Sequence, residues 1–235
     1  RLTPAQVEEL ISDGSNIHTR RTGLLELENT HNTAGGTVLS VEQTRDLADV
    51  AHAHGFPVHL DGARVFNAAV ALDVPASDLV APVDSVQFCF SKNLGAPVGS
   101  MICGERDFVE RCRAFRKLIG GAMRQAGVIA AAALVALEKG PGRLHEDHAN
   151  ARLIAETLAG IDGVSIDLET VQTNLIIFDL CRDDLDAPGL CEALAAYDVL
   201  AINKDATRIR LVTHCQVTRE DTKRVCAALG EILGG

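Results

Sequence analysis

The stretch FPVHLDGARVFNAAVALDVPASDLVAPVDSVQFCFSKNLGAPVGSMICG, residues 56–104, predicts a strand–helix–strand unit. Its apolar runs, residues 57–60 and 85–90, are short, rich in β-branched or aromatic residues and bounded by Gly and Pro, which is typical of buried strands. A helical segment, residues 63–72, lies between them. Such a unit should cross over right-handedly and leave its two strands parallel. Asp61 and Lys92 should then emerge side by side at the carboxyl edge of the sheet. Open α/β sheets bind their ligands at this edge.

An aspartate and a lysine at one sheet edge are the two groups that a pyridoxal phosphate site requires. The lysine amine bonds covalently to the cofactor aldehyde, and the carboxylate keeps the ring nitrogen protonated, so that the ring can accept electrons. The spacing alone leaves another interpretation open, since Asp and Lys at strand ends can also form a solvated rim or a simple ion pair.

Five motifs follow one another over nearly all of the chain: LENTHN (27–32) with Gly35-Gly36, HLDGAR (59–64), SKNLGAPVGS (91–100), GGAMRQ (120–125) and RLVTH (210–214). In this order they resemble the threonine aldolases, pyridoxal-phosphate enzymes of the β-eliminating lyase group. The resemblance implies an α/β fold: part of a fold-type I (aminotransferase-like) large domain with a mostly parallel sheet, and a small C-terminal α+β domain. The break at Lys139-Gly140-Pro141-Gly142 predicts the boundary, with the large domain over residues 1–139 and the small domain over 140–235.

The resemblance also implies an activity, which is the cleavage of L-threonine or L-allo-threonine, and of other β-hydroxy-α-amino acids, to glycine and an aldehyde. The roles that it implies for single residues are these: Lys92 as the catalytic lysine; Asp61, Ala63, Arg64 and Ser91 as further cofactor-binding residues; Arg64 and Arg210 as ligands of the substrate carboxylate; Lys117 and Arg124 as residues that approach the cofactor of a neighbouring subunit. It does not identify the base that removes the β-hydroxyl proton.

For two of these residues, Arg64 and Arg210, the sequence alone also allows a plainer interpretation. Arg64 has the planar fork that suits a carboxylate or a phosphate, but it could instead pair with Asp61 at a helix start, one turn into the helix. Lys92 is expected at a buried edge, where an amine loses its proton more readily. Asn93 stands where the family usually has Gly, and Asn tolerates the left-handed conformation. Arg210 alternates with apolar neighbours along a strand and could be a surface residue.

The composition excludes several classes of protein. With 22 Lys and Arg against 32 Asp and Glu, the chain has a formal charge of −10 and lacks the basic footprint of a nucleic-acid binder. No apolar run is long enough for a membrane span. The seven cysteines include no C-x-x-C pair, which favours free, buried thiols in a reducing cytoplasm. His145 and His148 have the spacing of metal ligands but no evident third ligand, so no metal site is predicted.

Two further expectations concern the assembly and the completeness of the chain. The apolar helix predicted over residues 126–138 should be buried, either in a core or between subunits, and the family is usually tetrameric, so a homo-oligomer (a dimer or a tetramer) is expected. The resemblance implies that roughly the first third of a complete aldolase is missing, with the loop that cradles the cofactor phosphate and a histidine that stacks on its ring. Two alternatives stay open: another lyase or transaminase of the same fold type, and a truncated, catalytically silent fragment.

Overall fold

The computed structural model describes residues 2–15, 18 and 20–234, and the chain forms two compact units. The first comprises Arg1–Asn29 and Leu39–Glu138, and the second comprises Thr30–Val38 and Lys139–Gly235. The change near residue 139 lies where the Gly-Pro-Gly break predicts a boundary. Residues 30–38, predicted in the first domain, instead belong with the second unit.

The sheet of the first unit contains strands β1 (Leu25–Glu28), β2 (Val58–Asp61), β3 (Ser85–Cys89) and β4 (Ser100–Gly104), in that spatial order. The first three strands are parallel, and β4 returns antiparallel to β3. This confirms the predicted α/β architecture with a mostly parallel sheet. β2 extends one residue further than predicted, because Asp61 pairs with Glu28 and with Gln87, whereas β3 ends at Cys89, one residue earlier than predicted.

One helix of the first unit precedes these strands, and the others lie between them or follow them. They are α1 (Pro4–Leu10), α2 (Val41–Ala53), α3 (Val65–Leu72), α4 (Ala76–Val80), α5 (Arg106–Leu118) and α6 (Gly127–Lys139). Thr3 and Ser40 begin α1 and α2 with the capping boxes that their sequences predict. The short α4, which follows Pro75, is not apparent from the sequence pattern.

The second unit has an antiparallel sheet with helices on one face. Its strands are β5 (Val164–Ser165), β6 (Leu175–Leu180), β7 (Ile202–Asn203) and β8 (Arg208–Val212), in the order β5-β6-β8-β7, and its helices are α7 (Leu144–Ala159), α8 (Ala187–Ala195) and α9 (Arg219–Leu233). Alternate residues of β6 and β8, such as Phe178 and Ile209, form one core with apolar residues of the three helices. This confirms the small α+β domain.

The segment Thr30–Val38 is fixed to the second unit by contacts with residues far away in sequence. The Val38 N–H donates to the Gln172 side chain (2.9 Å), and the Thr173 hydroxyl donates to the Gly36 carbonyl oxygen (3.1 Å). Gly36 has φ +81°, and a Cβ there would lie 2.9 Å from the Leu175 Cβ. Only glycine therefore fits at this position.

A partly buried histidine lies on α7. Burial, reinforced by the nearby His145, lowers the pKa of His148 from 6.5 to about 4, although the adjacent Asp147 acts in the opposite direction. His148 is thus neutral in the folded chain at pH 7. None of the helices in the part of the chain described here is long and apolar enough to cross a membrane.

The buried His148 predicts that the stability of the second unit falls on acidification. Between pH 6.5 and about 4 the unfolded chain binds a proton at this position that the folded chain does not, so stability declines as the pH falls through that window. The total loss, which is complete only below about pH 4, is roughly 3 kcal/mol. Urea unfolding between pH 7 and 4.5 should show a shallower pH dependence for His148→Gln than for the wild type. Replacing the exposed His31 of the same unit with Gln is the control, and equal slopes for the wild type and His148→Gln would contradict the prediction.

Candidate active site

The candidate site of the first unit lies at the carboxyl edge of its parallel strands. Asp61 is the last residue of β2, and it is aligned with Glu28 on one side and with Gln87 on the other. Backbone hydrogen bonds continue past the strand ends: the Asn29 N–H donates to the Asp61 carbonyl oxygen (2.9 Å), and the Gly62 N–H donates to the Gln87 carbonyl oxygen (2.8 Å). The backbone on both sides of the Asp61 side chain is thereby fixed to the neighbouring strands.

The Asp61 carboxylate is held through one of its two oxygens. Oδ1 accepts hydrogen bonds from the Ala63 N–H (2.9 Å) and from Nε2 of Gln87. Among the described residues, Oδ2 has no hydrogen-bond donor. The carbonyl oxygen of the buried Ala63 accepts from the Cys89 N–H (3.3 Å), so Ala63 connects the Asp61 turn to the end of β3. The carboxylate is oriented and still has an oxygen available for a ligand.

Lys92 lies three residues after the end of β3, on a loop that is closed by backbone hydrogen bonds. The Phe90 N–H donates to the Gly99 carbonyl oxygen (3.0 Å), and the Gly95 N–H donates to the Lys92 carbonyl oxygen (2.9 Å). Phe90, Leu94 and Ala96 are buried against α6, which anchors the loop. Asp61 thus ends one strand and Lys92 follows the adjacent parallel strand, as the βαβ pattern predicts.

The environment of Lys92 differs from the expectation. Lys92 and Ser91 are both exposed, whereas the amine was expected at a buried edge. The neighbours Asn93 and Leu94 are buried instead, because their side chains fill the base of the loop while Lys92 lies on its surface. Within the described residues the Lys92 amine forms no ion pair or hydrogen bond, so it is available for a covalent bond to an aldehyde.

Asn93 stands where the family usually has Gly, but it does not use the left-handed conformation that Asn tolerates, which among the described non-glycine residues is found only at Asp73 and Asp198. The predicted position of Arg64 within the helix is wrong. Arg64 is the residue that precedes α3, at the N-cap, rather than a residue within the helix, and it is half-buried.

Arg210 lies in the second unit, on β8, with Ile209 and Leu211 buried on the opposite face as predicted. Its Nη1 donates to Oδ1 of Asn32 (2.8 Å), a residue of the Thr30–Val38 segment. Its Nε is buried and has no hydrogen-bond partner within the described residues. A buried N–H group without an acceptor costs free energy, and a carboxylate is the acceptor that a guanidinium fits best.

Lys117 and Arg124 are both exposed. Lys117 lies in the last turn of α5. Arg124 lies in the loop before α6, which begins at Gly127, one residue after the start of the predicted apolar helix. The expected approach of these two residues to the cofactor of a neighbouring subunit stays a prediction.

Comparison with known proteins identifies the family. The model of the beta-eliminating lyase family matches residues 1–181. The chain belongs to the beta-eliminating lyase family. One relative is the low-specificity L-threonine aldolase 1 of Arabidopsis thaliana, which is 46% identical over 201 residues, covering 85% of this chain. The chain spans only 56% of the length of that relative.

Solved structures of lyase-family and aminotransferase proteins share the fold. The threonine aldolase of Leishmania major has a TM-score of 0.80 at 19% identity, over 99% of this chain and 68% of that chain. A PLP-dependent aminotransferase from Streptococcus suis 89-1591 has a TM-score of 0.74 at 18% identity, over 98% of this chain and 60% of that one. At these identities the likeness shows the fold alone, which is the fold-type I architecture expected from the sequence.

Two contacts, one in each unit of this beta-eliminating lyase chain, were not predicted from the sequence: Gln87 with Asp61, and Asn32 with Arg210. Gln87 is a polar residue within an otherwise mostly apolar strand, and this signal could have pointed to its bond with Asp61. Asn32 lies 178 positions from its partner Arg210, so no local pattern could reveal that contact. Cys89, expected as one of the free, buried thiols, is half-buried and makes polar contacts with Gln87 and Ser100. Within the described residues, no group of three His, Cys, Asp or Glu could hold a metal ion.

Gly62 is predicted to be essential for the close approach of the Asp61 turn to β3. An added Cβ would lie 3.0 Å from the Gln87 carbonyl oxygen, 3.0 Å from the Val86 Cγ2 and 3.1 Å from the Val65 Cβ. Gly62→Ala should therefore destabilise the chain by about 1–3 kcal/mol, measured by urea unfolding. Gly23→Ala, in the same unit with no atom within 4 Å of the new methyl group, is the control. Similar losses for the two variants would contradict this packing argument.

Proposed function

We propose that the chain is part of a pyridoxal-phosphate-dependent threonine aldolase. This enzyme cleaves L-threonine or L-allo-threonine, and related β-hydroxy-α-amino acids, to glycine and an aldehyde. The observation that carries the proposal is the pair of groups on adjacent parallel strands: a carboxylate with one oriented and one available oxygen, and an amine without a partner among the described residues. The family and the name of its Arabidopsis relative support it.

The residues of the first unit fit pyridoxal phosphate. When bound, this cofactor supplies an electron-accepting ring that takes up the electron pair of the bond being broken. Lys92 provides the amine that holds the cofactor aldehyde, and Oδ2 of Asp61 holds the proton on the ring nitrogen. Ala63 is small enough to lie flat against a ring, and Ser91 is a further cofactor-binding residue. The second candidate role of Arg64 is to bind the substrate carboxylate.

Arg210 is proposed as the main ligand of the substrate carboxylate. Its buried Nε, which lacks an acceptor in the described part of the chain, supports this role. The bond from Nη1 to Asn32 keeps the guanidinium in one orientation, so that little side-chain entropy is lost when a carboxylate binds. A bidentate carboxylate contact would satisfy the unpaired nitrogen.

A second copy of the chain is proposed to cover the apolar surface of α5 and α6. Of the almost wholly apolar helix α6, only Ala136 is buried within one chain. The large apolar side chains that remain exposed on α5, on α6 and between them are Phe115, Leu118, Ile119, Met123, Val128, Leu134, Val135 and Leu137. A surface of this kind marks an interface. The proposed assembly is a homo-oligomer, a dimer or a tetramer, in which Lys117 and Arg124 approach the cofactor of a neighbouring subunit.

A cytoplasmic location is proposed on the basis of the cysteines. All seven are free, and Cys103, Cys181 and Cys215 are exposed, although buried thiols were expected. Exposed thiols without disulfide partners suit a reducing compartment.

The proposed cofactor chemistry predicts a covalent bond to Lys92. Adding pyridoxal phosphate to the purified chain should produce the absorption band of the lysine-linked cofactor, and borohydride should bleach the band and fix the cofactor to the Lys92 peptide. Lys92→Ala should lose about 90% or more of the band, because the amine that forms the covalent bond is gone. Lys223→Ala, which removes an exposed lysine of α9, should keep it.

Two outcomes of this experiment would replace the proposal. If the wild-type chain forms no band, the chain is a catalytically silent piece. If it forms the band but releases pyruvate and ammonia from serine, instead of glycine and acetaldehyde from threonine, it is another lyase of this fold type. Product analysis by mass spectrometry separates the two activities.

The proposed assembly predicts that a charge on α6 dissociates the oligomer. Val128 is 84% exposed in one chain, and Val128→Glu would bury a carboxylate in the interface without a partner. Sedimentation equilibrium should therefore show a dimer or a tetramer for the wild type and a mass shifted to the monomer for the variant. Leu10→Glu, at a 76% exposed position on α1, is the matched control and should keep the oligomer. A monomeric wild-type chain would contradict the proposal.

A further inference from the structure

Gln87 is the side chain that connects the Asp61 carboxylate to β3. The two residues are directly aligned on the parallel strands β2 and β3, and Nε2 of Gln87 donates to Oδ1 of Asp61. Gln87 is half-buried, so this bond is partly shielded from water. A hydrogen bond to an ionised acceptor is about twice as strong as one between neutral groups.

The other end of the Gln87 amide is also held. Its Oε1 accepts from the Cys89 thiol (3.9 Å), and the Cys89 sulfur accepts from the Ser100 hydroxyl (3.4 Å). Cys89 and Ser100 are aligned across the antiparallel strands β3 and β4. This arrangement determines which end of the amide faces Asp61. An ionised carboxylate only accepts hydrogen bonds, so the NH₂ group must face Asp61, while the carbonyl oxygen faces the thiol donor.

Asp61 is consequently held at one oxygen by two donors that belong to different parts of the chain. The Ala63 N–H alone would leave the carboxylate free to rotate about its last torsion angle, which is a soft one. The second donor, from Gln87, restricts that rotation. Oδ2 then remains as the acceptor in a defined orientation.

We propose that Gln87 is a positioning residue. Its hydrogen bond to Oδ1 of Asp61 orients the carboxylate so that Oδ2 can accept a hydrogen bond from the protonated ring nitrogen of pyridoxal phosphate. This inference rests on the proposed function. Gln87 itself touches neither the cofactor nor the substrate in this role. Its contribution is to reduce the rotational freedom that Asp61 would otherwise lose on binding.

The test compares pyridoxal phosphate with its 1-deaza analogue, in which a C–H group replaces the ring nitrogen. Gln87→Met has a similar size but no donor, and it should weaken the binding of pyridoxal phosphate by about tenfold. It should change the affinity for the analogue by less than about twofold, because no ring nitrogen is present for Asp61 to hold. Gln216→Met makes the same chemical change at an exposed position of the second unit and should leave both affinities unchanged.

The bond itself is measured without any cofactor. In the cofactor-free chain, the side-chain amide signal that disappears from the ¹⁵N NMR spectrum of Gln87→Met should shift in Asp61→Asn and should exchange slowly with water in the wild type. An amide signal that does not respond to Asp61→Asn overturns the inference.

The possible binding results separate this inference from the proposed function. Equal losses for both ligands in Gln87→Met indicate a merely structural role and overturn the positioning role, as does the absence of any loss. A wild-type chain that binds neither ligand overturns the proposed function, and the positioning role falls with it. In that case the NMR result still shows whether the Gln87–Asp61 bond exists as a structural contact.

Discussion

The parallel pairing of β1, β2 and β3 is the constraint on which the candidate site depends. It places Asp61 between Glu28 and Gln87, and hydrogen bonds from Asn29 and Gly62 extend the pairing past the strand ends. Each such bond contributes only about 0.5–1.5 kcal/mol. Their common effect is geometric, because a shift of β2 against β3 would move the carboxylate away from Gln87, one of its two donors.

The fold of the first unit is predictable because its signals are local. Short apolar runs bounded by Gly and Pro define β2 and β3, and the capping residues Thr3 and Ser40 define two helix starts. The strand ends are less predictable, since the pairing of Asp61 with its neighbours, and not its own propensity, extends β2 by one residue. The unit to which residues 30–38 belong was not predictable, because their partners Gln172 and Thr173 lie more than 130 positions away.

The candidate residues were identified from motifs, but their surroundings were not. A motif identifies Lys92 and its place after a strand, whereas its exposure depends on which of its neighbours fill the core. Asn93 illustrates this, because the motif gives its position beside Lys92 but not that its side chain is buried. Cys89 has the size of a core residue, but its contacts with Gln87 and Ser100 make it part of a polar chain that reaches Asp61.

The Thr30–Val38 segment makes the two units interdependent along the chain. The polypeptide passes from the first unit to the second at residue 30, returns at residue 39, and passes to the second again at residue 139. A peptide of residues 140–235 alone would therefore lack Asn32, which orients Arg210, and it would lack the glycine that packs against Leu175. A recombination point at residue 139 would therefore transfer the second unit without the segment that packs within it.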